Sequence, residues 1–379
     1  MSRPLPPRAD VVIIGAGLAG TSVAGWLDGN QTVLIVEQGA QPGGEASAQN
    51  AGMVRRLGED PAERALAVRT HELLCTDPEL AHASRRTGAL LALAHDPWHL
   101  HDGVAALRAR GVHIEACDRP AELAPVLAGA QLVQAWHLPD ERVADAWSVV
   151  STMLKRATSK GATLACDTAV IEILHDNTGV CGVQTSRGTV ATRCVVVAAG
   201  AWTARLLPKM PVIPIRRTLL QSAPHGLSRP GHPWTWIDDV GVYVRPEGGG
   251  WLCSGCDETP EVVPQGAGSR GRPGSTAIAI AQHKLEQHMP ALAGLRWTHG
   301  WTGLRTFAPD RRPLVGPDPA QPGLWWLAGL GGFGVSCGLA AGEALSRWIQ
   351  GEDVDWLRKD DVDPGRDLPR RWPVRFNGH

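Results

Sequence analysis

The chain has little tyrosine, phenylalanine or lysine. Its 379 residues include one Tyr and three Phe against fifteen Trp, and only five of the 37 basic residues are Lys. A GC-rich coding bias would deplete Phe, Tyr, Lys and Asn together and spare Trp and Arg. A tyrosine that persists under that pressure, Tyr243, becomes a candidate functional residue. Net charge is small as well, at −1, so there is no field to gather nucleic acid or an anionic membrane. No apolar run reaches the roughly 18 residues of a membrane-spanning helix, and no transmembrane segment is expected. A short Pro/Arg leader runs straight into Val11-Val12-Ile13-Ile14 without the apolar stretch and cleavage site of a signal peptide, so a cytoplasmic location is expected.

What is present suffices for a folded protein. Hydrophobic residues make up 43% and charged residues 20%, which supports a sizeable core and argues against general disorder. The length fits two to three domains. The eight cysteines are scattered and read as reduced, buried small side chains. Cys253 and Cys256 alone form a CxxC, with no second pair to complete a zinc site. His95, His99 and His101 have ligand-like spacing, but a solvated loop explains them and no metal is expected.

The chain opens as strand, glycine turn, helix, strand. Val11–Ile14 is a β-branched run suited to a buried parallel strand. Gly15-Ala16-Gly17-Leu18-Ala19-Gly20 starts a helix, and Thr32–Val36 is a second strand ending at Glu37. Helices are expected over about 60–74 and Asp145–Ser159, and strands over 163–165, 169–174, 180–185 and 194–199. Between about 85 and 140 the pattern loosens. From about 210 to 304 short alternating strands and one helix near 276–288 predict a mixed or antiparallel sheet. A strand over Gly323–Ala328, a glycine loop over Gly329–Gly334 and a helix over Val335–Gln350 return to the first texture. The tail after Gly351 reads as a surface extension. The expected architecture is α/β. A discontinuous Rossmann-like nucleotide-binding domain (1–80, 145–205, 305–355) is interrupted by a sheet-rich substrate domain (81–144, 206–304), and a tail follows (356–379).

Gly15, Gly17 and Gly20 have a physical reason to be glycine. The first permits the tight turn, the second lets a pyrophosphate approach the backbone, and the third lets helix and strand pack closely. The helix N-terminus offers N–H donors to the phosphates, and Glu37 can accept hydrogen bonds from a ribose diol. A second glycine loop that also opens a helix, Gly329–Gly334, favours FAD over NAD: an extended flavin needs support at both ends, and a helix N-terminus stabilises the reduced ring.

Five ordered motifs resemble the D-amino-acid oxidase-type FAD-dependent oxidoreductases, a group with glycine and sarcosine oxidases and bacterial D-amino-acid dehydrogenases. They are the VVIIGAGLAG opening with Glu37, the loop Ser47–Met53, the segment Val195–Trp202, Gly303-Leu304-Arg305 with Pro309–Gly316, and Leu330–Gly334. The resemblance implies an FAD-binding domain and a substrate domain with a mixed/antiparallel β-sheet. It implies FAD contacts at Gly15, Gly17, Gly20, Glu37, Ser47, Asn50, Ala51, Gly52, Met53, Val170, Gly200, Trp202, Gly331, Gly332, Gly334 and Val335. Thr306, Phe307 and Ala308 stand where some members carry a flavin-linking cysteine, so non-covalent FAD is expected.

The resemblance also implies a substrate carboxylate held by Arg305 and Tyr243, with Arg217 lining the pocket and Arg216 alternating with it across the strand. An Arg fork matches a carboxylate and a phenol adds one short hydrogen bond. Thr87-Gly88-Ala89-Leu90 lacks the acidic residue of members that take cationic D-amino acids, which points to a neutral substrate. Tryptophans 234, 236, 251, 297 and 301 either line the pocket or fill a core. Asp238 and Asp239 read as a turn. The implied reaction is oxidation of a Cα–N bond by hydride transfer to flavin N5. The imine hydrolyses to a 2-oxo acid and ammonia, and the electron acceptor is oxygen or a quinone or dye. Oxidation of a 2-hydroxy acid, or a flavin-binding partner protein without turnover, are the competing readings.

Overall fold

Val11–Ile14 is completely buried and pairs in parallel with Val33–Val36 on one side and Val195–Val197 on the other. These strands are the centre of a six-stranded sheet. Its order runs Leu314–Pro317, Leu324–Ala328, Val195–Val197, Val11–Ile14, Val33–Val36, Thr163–Ala165, with only the first strand antiparallel to its neighbour. The computed structural model describes residues 4–96, 98–207 and 210–369. Residues 370–379 of the expected tail lie outside the described residues.

Two helices pack very closely on this sheet. Helix Leu18–Trp26 meets helix Gly334–Ile349, and a Cβ on Gly342 would lie 2.4 Å from the Ser22 Cβ, so only glycine admits that approach. Helix Pro61–Thr76 starts at Asp60, whose carboxylate accepts from the Ala62 and Glu63 amides at 2.8 and 3.3 Å, with Pro61 at the first helical position. Helix Ala146–Ser159 is capped by Asp145.

The second large sheet has ten strands and is mixed. Its path runs Leu330–Gly331, Trp297–Phe307, Ile213–Ser222, Gly250–Ser254, Val242–Glu247, Trp234–Ile237, Ala89–Leu93, Gln134–Leu138, Glu115–Ala116, with Thr259–Pro260 beside Ile213–Ser222. Only the pair Trp234–Ile237 and Ala89–Leu93 is parallel. The strand Trp297–Phe307 extends past residue 305, so this sheet reaches into the segment expected to belong to the nucleotide-binding domain.

Elements that the sequence did not suggest are the helix His101–Ala109 and the strands Ala89–Leu93, Gly188–Ala191, Trp234–Ile237 and Leu314–Pro317. The tail also departs from expectation. It does not extend into solvent throughout: Leu357 and Val362 join the core, the Val315 amide donates to Val362 O at 2.8 Å, and Arg366 pairs with Asp310 at 2.7 Å.

Candidate active site

A cleft of about 410 Å³ runs along the ends of the central parallel strands. Gly15, Gly17, Glu37, Ser47, Asn50 and Val170 line one part of it. Gly200, Trp202, Gly331, Gly332, Gly334, Val335 and Arg305 line the rest. Gly15 has φ +104°, and a Cβ there would sit 2.4 Å from Ala198 O. Gly20 lies beneath the cleft rather than on it: its Cβ would fall 1.9 Å from Gly15 O, so it permits the helix–strand approach. Glu37 accepts from the Ala16 and Gly39 amides, both at 2.8 Å. Burial raises its carboxyl pKa above the usual range despite those bonds. The Ser47 hydroxyl accepts from the Leu18 amide at 2.9 Å and so caps the first helix. Asn50 shapes the loop, donating to Ser47 O at 2.7 Å and accepting from the Gly52 amide at 2.8 Å.

Ala51, Gly52 and Met53 do not line this cleft. Ala51 and Met53 pack into the apolar cluster that holds Tyr243, and Gly52 turns at φ +72° against Ala144. Gly43, Gly44, Gln265 and Ser269 do line it and were not anticipated. Helix Gly334–Ile349 begins on the cleft, so helix N-termini face it at both ends. Among the described residues no cysteine lines it. A glycine cradle at one end, a carboxylate beside it and a second glycine loop at the other fit an extended dinucleotide.

Strand register brings the substrate candidates together. Arg305 pairs with Ile215, Gly303 with Arg217 and Trp301 with Leu219, so these residues share one face. Tyr243 pairs with Ser254 and Trp236 in the same sheet. Tyr243, Arg217 and Arg305 are close enough to act on one another's ionisation. Arg216 points to the other face, where it pairs with Glu261.

The two pocket arginines differ. Arg217 holds Glu258 at 3.0 Å, a carboxylate that Arg311 also grips at 2.5 Å. Arg305 is only 9% exposed, and among the described residues no carboxylate lies within 4.0 Å of it. Its guanidinium donates to the carbonyls of Gln49 and Leu304. Burial pulls its pKa down to about 10. Burial also pushes the Tyr243 phenol up, so it stays protonated and able to donate. Gly303 has to be glycine because a Cβ there would lie 2.4 Å from Gln49 Oε1 and 2.7 Å from Gln49 Cβ.

The tryptophans divide by face. Trp234, Trp236 and Trp301 pack with Tyr243, Leu219 and Leu252, whereas Trp251 and Trp297 belong to a cluster on the opposite face and cannot line the pocket. The buried indole N–H groups of Trp234, Trp236 and Trp301 on this face, and of Trp297 on the other, have no hydrogen-bond partner among the described residues.

Arg55 was missed. Its guanidinium lies 4.5 Å from the Trp236 ring centre and 5.4 Å from that of Phe333, and it pairs with Asp238 at 2.8 Å. Asp238 also receives His99 at 2.8 Å, and Glu59 stands 3.6 Å from His99. His99 is therefore part of a charge network, not a solvated loop. The hydrogen bond to Asp238 raises its pKa against the opposing effect of burial. Burial alone would raise the Asp238 carboxyl, but Arg55 and His99 overcome it and hold that carboxyl below its usual range. Cys253 and Cys256 are free thiols in clusters on opposite faces of the sheet, and burial raises both, consistent with the structural reading.

A dinucleotide cleft that ends beside a buried arginine and a phenol fits a nucleotide-dependent oxidoreductase. The family model described as FAD dependent oxidoreductase matches residues 10–348, and the chain belongs to this family, the DAO family. It is an FAD-dependent enzyme. The chain is 27% identical over 373 residues to the mouse mitochondrial pyruvate dehydrogenase phosphatase regulatory subunit, covering 91% of this chain and 42% of that protein. It thus spans less than half the length of that relative. It is 27% identical over 342 residues to glycine oxidase of Geobacillus kaustophilus, covering 85% of this chain and 88% of that one. L-proline dehydrogenase from P. horikoshii has the same fold, with a TM-score of 0.84 at 22% identity over 95% of this chain and 98% of that one. No helix among the described residues is long and apolar enough to cross a membrane.

Proposed function

We propose that this enzyme oxidises the Cα–N bond of a small, neutral amino acid: a D-amino acid, glycine or an N-methyl amino acid. The observation that carries the reading is Arg305, a buried guanidinium with no carboxylate partner among the described residues, set where the cofactor cleft meets the Tyr243 face. A buried charge of this kind calls for a counter-ion, and a substrate carboxylate meets its fork bidentately. Tyr243 donates one further bond, and Arg217 supports the same anion electrostatically. Among the described residues the carboxylates beside this face are already engaged, Glu258 by two arginines, Asp238 by Arg55 and His99, and Asp257 by the Thr218 amide and hydroxyl, which leaves a cationic side chain no ready partner. The apolar surface of Trp236, Trp301 and Leu219 suits a neutral one.

Bound FAD supplies the two-electron acceptor for the hydride that leaves Cα. The chain contributes position: the carboxylate clamp fixes Cα, and the burial of this face excludes water and favours the neutral amine whose lone pair assists the step. The imine then hydrolyses to a 2-oxo acid and ammonia, or to a 2-oxo acid and methylamine for an N-methyl substrate. Non-covalent attachment of FAD and a cytoplasmic location belong to the same proposal, the latter supported by eight free thiols.

The test is anaerobic titration of the yellow holoprotein with D-amino acids, glycine, N-methyl amino acids and 2-hydroxy acids. Bleaching by one of the amino acids is expected. Bleaching by hydroxy acids alone, or by nothing in the panel, would overturn the reading. Oxygen uptake compared with quinone or dye reduction on the active substrate then assigns the electron acceptor.

A further inference from the structure

The segment Glu261–Gly274 joins the short strand Thr259–Pro260 to the helix Ser275–His288. Both of its ends are pinned to the mixed sheet. The Glu261 amide donates to Pro214 O at 3.0 Å, and Gly271 exchanges backbone bonds with Thr302. Between those pins the chain leaves the sheet and crosses the cofactor cleft.

On one wall Pro264 O accepts from Trp202 Nε1 at 3.1 Å and from Arg205 Nη1 at 3.3 Å. On the other wall Glu45 accepts from the Gly268 amide at 2.5 Å, the Ser269 amide at 3.1 Å and the Ser269 hydroxyl at 2.5 Å. Gln265 and Ser269 line the cleft itself. The remaining contacts are lighter: the Ser269 hydroxyl also reaches Gln49 Oε1 at 3.4 Å, the Arg270 guanidinium lies 5.5 Å from the Trp301 ring centre, and Val263 packs into a small cluster with Trp202 and Leu304, while most of the segment is exposed, Val262 at 90%.

We propose that Glu261–Gly274 is a strap over the FAD cleft, and that its clasp on Glu45 sets how fast FAD enters and leaves. Few buried apolar contacts and a glycine-rich middle make local opening cheap. The three bonds to one carboxylate are the strongest link the strap makes, because charge-assisted hydrogen bonds exceed neutral ones. FAD cannot pass between the walls while the strap bridges them, so each passage has to break the clasp.

Glu45→Ala removes the acceptor and leaves the glycine cradles in place. Release is read as the recovery of free-flavin fluorescence after dilution, and rebinding as fluorescence quenching when FAD is added to apoprotein. The expected result is that both rates rise about tenfold or more, as loss of at least one charge-assisted bond implies, while the equilibrium affinity changes much less. A rise in release with rebinding unchanged would overturn the proposal, because it would make Glu45 a support for bound FAD and not a clasp. Unchanged release would overturn it as well. Ser269→Ala removes the hydroxyl clasp alone and is expected to shift both rates the same way by a smaller factor. It keeps the question answerable if Glu45→Ala fails to fold. Trypsin cleavage after Arg270 gives an independent reading: it should be faster in Glu45→Ala than in wild type, and equal rates would contradict a loosened strap.

Discussion

Replacing Arg305 by methionine separates function from stability. The wild-type guanidinium is 9% exposed, its pKa lowered to about 10 by burial. A drop of that size from the ordinary arginine value corresponds to about 3 kcal/mol of cost for holding the charge there. Methionine fills a similar volume without the charge and removes that cost. It also leaves the carbonyls of Gln49 and Leu304 without their donor, a penalty of about 1–3 kcal/mol. The two effects nearly cancel, so the apoprotein should melt within a few degrees of wild type or slightly higher. Substrate binding should not survive the change. Truncating one partner of a buried, hydrogen-bonded charge pair costs about 3–5 kcal/mol, roughly a 200- to 5,000-fold loss of affinity. Thermal melting of apoprotein, with KM or the Kd of a carboxylate ligand read from the flavin spectrum, measures both sides. An apoprotein that melts more than about 6 °C lower while KM moves less than about threefold would make Arg305 a structural ion and refute the reasoning.

Tyr243→Phe keeps the ring against Trp236, with centroids 4.8 Å apart and planes tilted by 44°, and removes only the hydroxyl. KM should rise about 10- to 150-fold with melting unchanged, since a hydrogen bond to a charged group contributes about 1.5–3 kcal/mol; an unchanged KM would remove Tyr243 from the clamp. Gly20→Ala would place a methyl 1.9 Å from Gly15 O and force the first helix off its strand, so flavin per protein after desalting should fall sharply. Burial, reinforced by the Asp60 charge, raises the Glu63 carboxyl to about 8. Its folded pKa therefore lies above its unfolded one. The stability this contributes is complete below about pH 4.3 and is lost as pH rises through about 8. Glu63→Gln, which cannot ionise, should gain on wild type between pH 5 and 9 by up to roughly 4–5 kcal/mol, and a stability difference independent of pH would contradict this.

The cofactor half of the site was legible because its chemistry is local. Gly15, Gly17 and Gly20 sit within one turn, and the strand after them ends at Glu37, so spacing alone carries the geometry. Tyr243 and Arg305 were reachable only through resemblance, since the strands that carry them are placed by sheet pairing that no local pattern specifies. The same pairing divided the tryptophans. Trp251 neighbours Leu252 in sequence yet faces the opposite cluster, because parity along a strand decides the face and the face depends on register. Arg55, Asp238 and His99 come from three separate segments and leave no motif. The strand Ala89–Leu93 contains only Ala and Leu, without β-branching to mark it, and owes its conformation to burial between neighbours. The strap over the cleft reads in sequence as an ordinary Gly/Pro/Ser linker; only its bonds to Glu45 and Trp202 show what it spans.

The central claim is that Arg305 and Tyr243 hold a substrate carboxylate so that Cα faces the cofactor. Anaerobic stopped-flow reduction with an active amino acid and with its carboxamide tests this most directly, because the two share the Cα–N bond and differ only in the anion. The account predicts fast bleaching by the acid and bleaching at least about a hundredfold slower by the amide at equal concentration. Equal rates for the two would contradict it.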